Sequence, residues 1–565
     1  MKNRERDLLS RLEIGDLAER DERSLVYLPP VRVLWERSVE NSEALLRQRR
    51  RQISLTRGEV CALRGTEEGA AILLDFGREL HGGIEITVHS VEGAESARLR
   101  VRFGESASEA MSELGGTTNA TNDHARRDVT VEVGMLSMNT VGMTGFRFVR
   151  IDLLTPGAIL YIHTVKAMLI YRDLPYLGSF ECSDALLNRI WNTGAYTVHL
   201  NMQHYIWDGI KRDRLVWIGD LHPEVSTILT VFGDQKIIRD SLDYVVEETP
   251  DGEWMNGIPS YSMWWIILQY EYFMFSGNRA YLEAQLPCLR KLCDMLNRHI
   301  DPEGRDVTPE FRFIDWPTKG NDRAVDLGLQ ALHVIACRFA KRIFEALGQT
   351  EDGKVCQEAL ERLERCRVQP VKVKQADALA ALAGLLPLDV VNETSLKPGG
   401  AAGMTCFMGY YILMARALAG DVPGALSTLR EYWGGMLALG ATTFWEDFDI
   451  QWMKGAAPID RLPREGELDV HGGYGRHCYK GFRHSLCHGW ASGPTAWLTR
   501  FVLGVEILEP GCGRIRVKAN LCDLDWARGT LPTPKGILAI SHRRKPDGSI
   551  QTEVDAPEGV EVVYG

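Results

Sequence analysis

The sequence predicts a multidomain α and β fold: an antiparallel β-sandwich, a large helical domain, then a smaller β-sandwich. Three observations carry this expectation. The chain has 565 residues, too many for one core when domains run to about 100–200 residues. Both ends alternate apolar and polar residues with a period of two, as strands do with one face on a core and one in water. From about residue 180 to about 505 the spacing becomes helical.

Taken in order, the first 50 residues should add a strand or two and a connecting helix. In the next stretch Ala97, Leu99, Val101 and Phe103 alternate with Arg98, Arg100 and Arg102, placing the arginines in water. Runs at Ala70–Phe76, Ile84–His89, Thr130–Val133, Phe146–Leu154 and Ala158–Thr164 are separated by turn-forming residues, so residues 1–175 read as a β-sandwich with a leading segment. Ser183 then stands as an N-cap before Leu186, Leu187, Ile190 and Trp191. Helical patterns follow at Tyr261–Phe275, Arg279–His299, Val325–Leu347, Val355–Cys366 and Met408–Leu418. Ala419-Gly420-Asp421-Val422-Pro423 stops one helix with Gly and starts the next with an Asp cap and Pro. Roughly eleven or twelve helices over residues 176–503 pack most economically as a closed ring of helical hairpins. Residues 504–565 return to period two, with Asp547-Gly548 as a hairpin turn, and read as a C-terminal β-sandwich.

Composition narrows the function. Hydrophobic residues make up 45% and charged residues 25%, which excludes wholesale disorder. With 65 basic against 76 acidic residues the net charge is −11, which argues against a nucleic-acid partner. No window approaches about 18 apolar residues, so no membrane span is expected. The first 25 residues alternate charge and lack an apolar leader core; with twelve scattered cysteines, this reads as a cytoplasmic chain with reduced, buried thiols. Fourteen tryptophans supply the flat apolar faces that sugars stack on. Large apolar β-faces would suit a homodimer.

Ionisable chemistry is concentrated in three places. In Trp207–Asp220, three carboxylates, three cations and two tryptophans lie within fourteen residues. Partial burial would spread the carboxylate pKa values, leaving one group protonated beside ionised neighbours; a structural salt-bridge knot is the plainer reading. In Gly440–Asp449, Glu446, Asp447 and Asp449 follow Trp445. This suits a sugar-processing base, and equally a helix start. In His484–Pro494, with His471, His477 and Cys478 upstream, the spacings match no standard zinc pattern. We expect no metal, with His488 bonding a ligand hydroxyl or capping a helix.

These residues carry a family resemblance. Asp208-x-x-x-Arg212-Asp213-Arg214-x-x-Trp217-x-Gly219-Asp220, followed far downstream by GATTFWE, resembles the signature of bacterial α-L-rhamnosidases, glycoside hydrolase family 78. LDFGRELHGG, RFGES, NATNDHARRD and TGFRFVRI resemble the β-sandwich preceding that family's catalytic domain, and SYSMWW, FIDWP and SLCHGW its barrel. The resemblance implies a central (α/α)6 barrel flanked by N-terminal and C-terminal antiparallel β-sandwich domains.

It also implies inverting exo-hydrolysis of a terminal α-L-rhamnoside, with Asp213 as general acid and Glu446 as general base. Asp208, Arg212, Asp220 and His488 would hold sugar hydroxyls. Trp316 and Trp264 or Trp265 would face the C6 methyl, and Trp217, Asp315 and Trp445 would complete the substrate site. On the residues alone, the tryptophan pair at 264 and 265 suits core packing as well, and Asp315 and Trp316 suit a capped loop. Asp447 and Asp449 compete with Glu446 for the base role, but Glu446 holds the motif position. The family's usual acid is Glu, one methylene longer, and its DCPQRDER-type run stands here as DGIKRDR. No cofactor is required, since two carboxylates and a water suffice. Two alternatives stay open: another (α/α)6 glycosidase or phosphorylase acting on a different terminal sugar, and a carbohydrate-binding protein without turnover.

Overall fold

The computed structural model describes residues 20–309 and 311–565. The question of a leader rests on residues 1–19, outside the described residues. Among the described residues no helix is long and apolar enough to cross a membrane.

The N-terminal part is built on one nine-stranded sheet in which every pair is antiparallel. Its centre is the 23-residue strand Ala70–Glu92, lying between Ser137–Leu153 and Ile159–Tyr171. The two short runs expected at 70–76 and 84–89 are therefore one strand. Its register shifts between Asp75 and Leu80 and between Gly82 and Ile84. Gly82 permits the bend: its φ is +143°, and a Cβ there would lie 1.9 Å from the Met168 carbonyl oxygen. Ser24–Leu28 and Arg32–Arg37 add strands, and among the described residues before residue 50 the helical segment is a 3-10 turn, Ser42–Leu46.

Alternation along Ser96–Gly104 holds with one correction. Arg102 is buried at 2% exposure, with its two terminal nitrogens paired to Glu113 and Asp152, each at 2.9 Å.

Between residues 185 and 501 the described chain forms thirteen α-helices. Helix Pro259–Ser276 is apolar all round and buried along most of its length, as an interior helix must be. It touches Leu221–Phe232 on one side and Asp322–Ala346 on the other; Lys374–Leu382, Gly409–Leu418 and Pro494–Phe501 continue the contacts back to Leu221–Phe232. The first helix starts one residue later than expected. Asp184, not Ser183, caps it by accepting the Leu186 amide at 2.8 Å, while the Ser183 hydroxyl accepts the Asp525 amide. The run 279–299 is two helices, broken at Gln285 because Pro287 cannot continue a hydrogen-bond ladder. At the 419–423 join, Gly420 takes φ +87° and Asp421 accepts the Gly424 amide at 3.1 Å.

The C-terminal residues form two sheets. One is the three-stranded set Val505–Ile507, Arg514–Val517 and Glu561–Tyr564; the other joins Trp526–Thr533, Gly536–Arg544 and Ile550–Asp555 to Ser179–Cys182 from ahead of the helices. The Asp547-Gly548 turn connects two of these strands, with Gly548 at φ +83°. All twelve cysteines are free thiols.

Candidate active site

At the N-terminal ends of Leu221–Phe232 and Pro259–Ser276 lies a cavity of about 110 Å³ that gathers the predicted carboxylates. One wall is polar: Asp208, Arg212, Asp213, Asp220, Glu446 and His488. The facing wall is aromatic, with Tyr261, Phe311, Phe313, Trp316 and Trp490.

The loop 202–220 supplies most of the charge, and its backbone explains how. Asp213 and Arg214 both adopt φ +56°, an uncommon conformation for non-glycine residues. The loop closes on itself through the Leu215 amide, which donates to Asp208 Oδ1 at 2.9 Å. Gly219 is required by space: a Cβ there would lie 2.2 Å from the Tyr261 ring, and Tyr261 must stay where its hydroxyl donates to Asp220 Oδ1 at 2.8 Å.

Glu446 arrives from 233 residues beyond Asp213 and is held by exchange with a second segment. Its amide donates to the Ser485 carbonyl at 3.0 Å, the Ser485 amide donates to Glu446 Oε2 at 3.0 Å, and the His488 amide donates to the Phe444 carbonyl at 3.0 Å. Arg212 joins the halves. Its Nη2 lies 2.6 Å from Glu446 Oε1 and its Nη1 lies 3.5 Å from Asp213 Oδ1.

Electrostatics divide the carboxylates. Burial, then the charges of Asp213 and Asp220, push Asp208 well above the usual carboxylate range. Burial does the same to Asp220, against the opposing Tyr261 hydrogen bond. His488 is pulled down to about 3 by burial and by Arg212, so its imidazole is neutral at physiological pH. Its Nε2 stands 3.7 Å from Asp208, 3.9 Å from Asp220 and 3.8 Å from Glu446. A neutral histidine between buried carboxyl groups can exchange hydrogen bonds with several hydroxyls at once.

Four residues expected at the substrate lie outside the cavity. Trp264 packs between His222 and Tyr411, each with ring centroids at 4.9 Å. Trp265 donates to the Leu242 carbonyl at 3.2 Å. Both sit on an interior helix, where burying an indole gains more than lining a wet pocket. Asp315 accepts the Thr405 hydroxyl at 2.6 Å, one residue short of the pocket. Trp445 packs edge-on to Phe448 at 5.8 Å behind Glu446. Asp449 caps a 3-10 turn by accepting the Gln451 amide, and Asp447 donates its amide to His484 Nε2 at 2.9 Å. Tyr261, Phe311, Phe313, Cys478 and Trp490 line the cavity without having been expected there. The alternation of Phe311 and Phe313 ahead of Trp316 is the signal that could have found two of them.

Below the loop, Lys211 is buried with its Nζ 2.9 Å from Glu105, 3.3 Å from Glu109 and 2.6 Å from the His484 carbonyl. Glu105, Glu109 and His471 could otherwise be read as a cation site; the ammonium already supplies the positive charge. A larger cavity, about 320 Å³, opens at the far ends of the same helices. It holds two carboxylates, Glu271 at 2.9 Å from His222 and Glu506 at 2.6 Å from Arg516, whereas the smaller cavity gathers Asp208, Asp213, Asp220 and Glu446.

The helical part carries the fold of a six-hairpin glycosidase domain. Residues 175–367 match the bacterial α-L-rhamnosidase six-hairpin glycosidase domain, and residues 504–563 match the bacterial α-L-rhamnosidase C-terminal domain. Over these two segments the chain resembles the bacterial α-L-rhamnosidases. An α-L-rhamnosidase of Alteromonas sp. (strain LOR) is 23% identical over 454 residues, covering 72% of this chain and 46% of the relative. The chain thus spans about half the length of that relative. Among solved structures, the family 78 rhamnosidase of Bacillus sp. GL1 aligns with a TM-score of 0.75 at 22% identity, over 93% of this chain and 55% of its own. A Klebsiella oxytoca rhamnosidase with rhamnose bound aligns with a TM-score of 0.66 at 18% identity, over 85% of this chain and 96% of its own. Glu446 and His488 lie beyond the segment matched by the six-hairpin model.

Proposed function

We propose that this chain is an inverting exo-α-L-rhamnosidase, with its helices closed into an (α/α)6 barrel between two β-sandwiches. The observation that carries the reading is the pairing of Asp213 and Glu446 on one guanidinium across a mixed polar and aromatic pocket. Arg212 brings the two carboxylates to one pocket, and an inverting pair would stand roughly 6.5–9.5 Å apart there to leave room for a water. Asp213 gives its proton to the glycosidic oxygen as the anomeric C–O bond breaks. Glu446 takes a proton from the water attacking the opposite face, and the product has the opposite anomeric configuration. Asp208, Asp220, Arg212 and His488 hold the sugar hydroxyls, while Phe311, Phe313 and Trp316 take the C6 methyl out of water. A pocket well below the roughly 300–1,000 Å³ of drug-sized sites suits one terminal sugar.

Hydrolysis rather than phosphorolysis is favoured by the engagement of nearby cations. Arg212 lies between two carboxylates, and Lys211 is turned into Glu105 and Glu109. Proton NMR of an aryl α-L-rhamnopyranoside during turnover tests the reading, with β-L-rhamnose expected as the first product. Glu446→Gln should lower kcat by about 10²–10⁴-fold with the fold intact. Near-wild-type activity would remove Glu446 from the base role, and first release of the α anomer would overturn inversion.

A further inference from the structure

The N-terminal sheet domain reaches Asp213 through His124. His124 stands in the loop between helix Ala107–Met111 and strand Asp128–Gly134. Its Nδ1 accepts the Asp213 amide at 3.0 Å and lies 3.0 Å from Asp213 Oδ1, an oxygen sealed from solvent. The two residues are held face to face from both sides. Arg214 Nη2 donates to the His124 carbonyl at 2.5 Å. Arg483 lies 3.0 Å from Asp123 Oδ2 and 3.4 Å from His124 Nε2, which itself stands 3.7 Å from Asp123 Oδ2. On its other side Asp213 Oδ2 accepts Trp217 Nε1 at 3.3 Å, and Arg212 lies 3.5 Å from Oδ1.

The single lone pair of Nδ1 is taken by the Asp213 amide, so one ring holds the backbone of Asp213 and abuts its Oδ1. We propose that His124 is a positioning residue for Asp213: it fixes the backbone turn and the carboxyl orientation from which Asp213 delivers its proton to the leaving group, so the acid half of the machinery spans two domains. This rests on Asp213 being the general acid. When the proton passes to the glycosidic oxygen, the electron pair of the broken C–O bond goes to that oxygen. Asp213 is left as a carboxylate and regains its proton from solvent before the next turnover. Glu446, tied to Arg212 and Ser485, takes no part in the reloading.

The test compares leaving groups. In His124→Ala, kcat on methyl α-L-rhamnoside should fall about tenfold or more beyond its fall on 4-nitrophenyl α-L-rhamnoside, whose leaving group needs little protonation. His124→Asn, whose side-chain oxygen can accept the Asp213 amide, should recover part of the difference. Equal losses on both substrates, or no loss, overturn the proposal, because a purely structural role would not distinguish leaving groups. A second measurement needs no substrate. The ring-nitrogen NMR signals of His124, followed over about pH 5 to 8, should change between wild type and Asp213→Asn; identical signals overturn the pairing. If the wild type cleaves no rhamnoside while the signals do change, the pairing stands and the substrate reading falls.

Discussion

Asp213 sits at 19% side-chain exposure while Asp208 and Asp220 are almost wholly buried, so three carboxylates in one loop meet three different environments. That difference fits one of them for proton transfer and the others for holding a ligand. Asp213→Asn should cost more on a sugar-linked rhamnoside than on an activated aryl rhamnoside, as read from kcat on both; equal loss would make Asp213 a binding group instead. Two neighbours lend themselves to a pH test. Burial pushes Asp315 and Asp447 up to about 7, whereas an unfolded chain titrates them near about 3.9. Between those values the folded chain holds more protons, so their stabilising contribution is complete below about pH 4 and is lost as the pH rises through about 7. Thermal midpoints of Asp315→Asn should fall less steeply than wild type from pH 4 to 7. The motif carboxylates were legible in the sequence because their spacing is local. His124 was not, since its partner lies 89 residues away and only folding brings them together.

Helix ends were readable wherever a short-range hydrogen bond sets them. Asp421 both caps its helix and pairs with Arg416 at 2.7 Å, where Arg416 is buried. Asp421→Ala should therefore cost about 2 kcal/mol or more by denaturant unfolding, the cap and the orphaned guanidinium together. Where elements were misjudged, longer-range forces decided. The strand Ala70–Glu92 runs through what reads as a turn because its neighbours on both sides continue the ladder past Gly82. Helix Pro259–Ser276 was recognisable, but the facing of Trp264 and Trp265 was not. A helix that is apolar on every side carries no periodic cue to orientation.

Across the whole molecule, the order β, α, β could be read from the changing period. How the parts grip one another could not. The N-terminal sheet holds the loop 202–220 through Glu105 and Glu109 around Lys211, and Glu105 also accepts the Leu486 amide at 2.6 Å, one residue from the contact of Ser485 with Glu446. Burial pushes Glu105 up to about 7, and Arg127 at 3.7 Å is a second buried cation beside Glu109. Lys211→Ala would leave Glu105 buried without its cation. A loss of roughly 3–5 kcal/mol is expected, with faster limited proteolysis between the sheet and the helices; unchanged unfolding and cleavage would show that the junction is held elsewhere. The other junction bears on how the chain is made. Ser179–Cys182 finds its partner strand only at Trp526–Thr533, and Ser179 meets Thr530 across 351 residues. At about 5–20 residues per second on the ribosome, that strand waits roughly 20–70 s with an open edge. The last sheet is thus a latch on nascent chains, and the interval before it closes is when chaperones have most to protect.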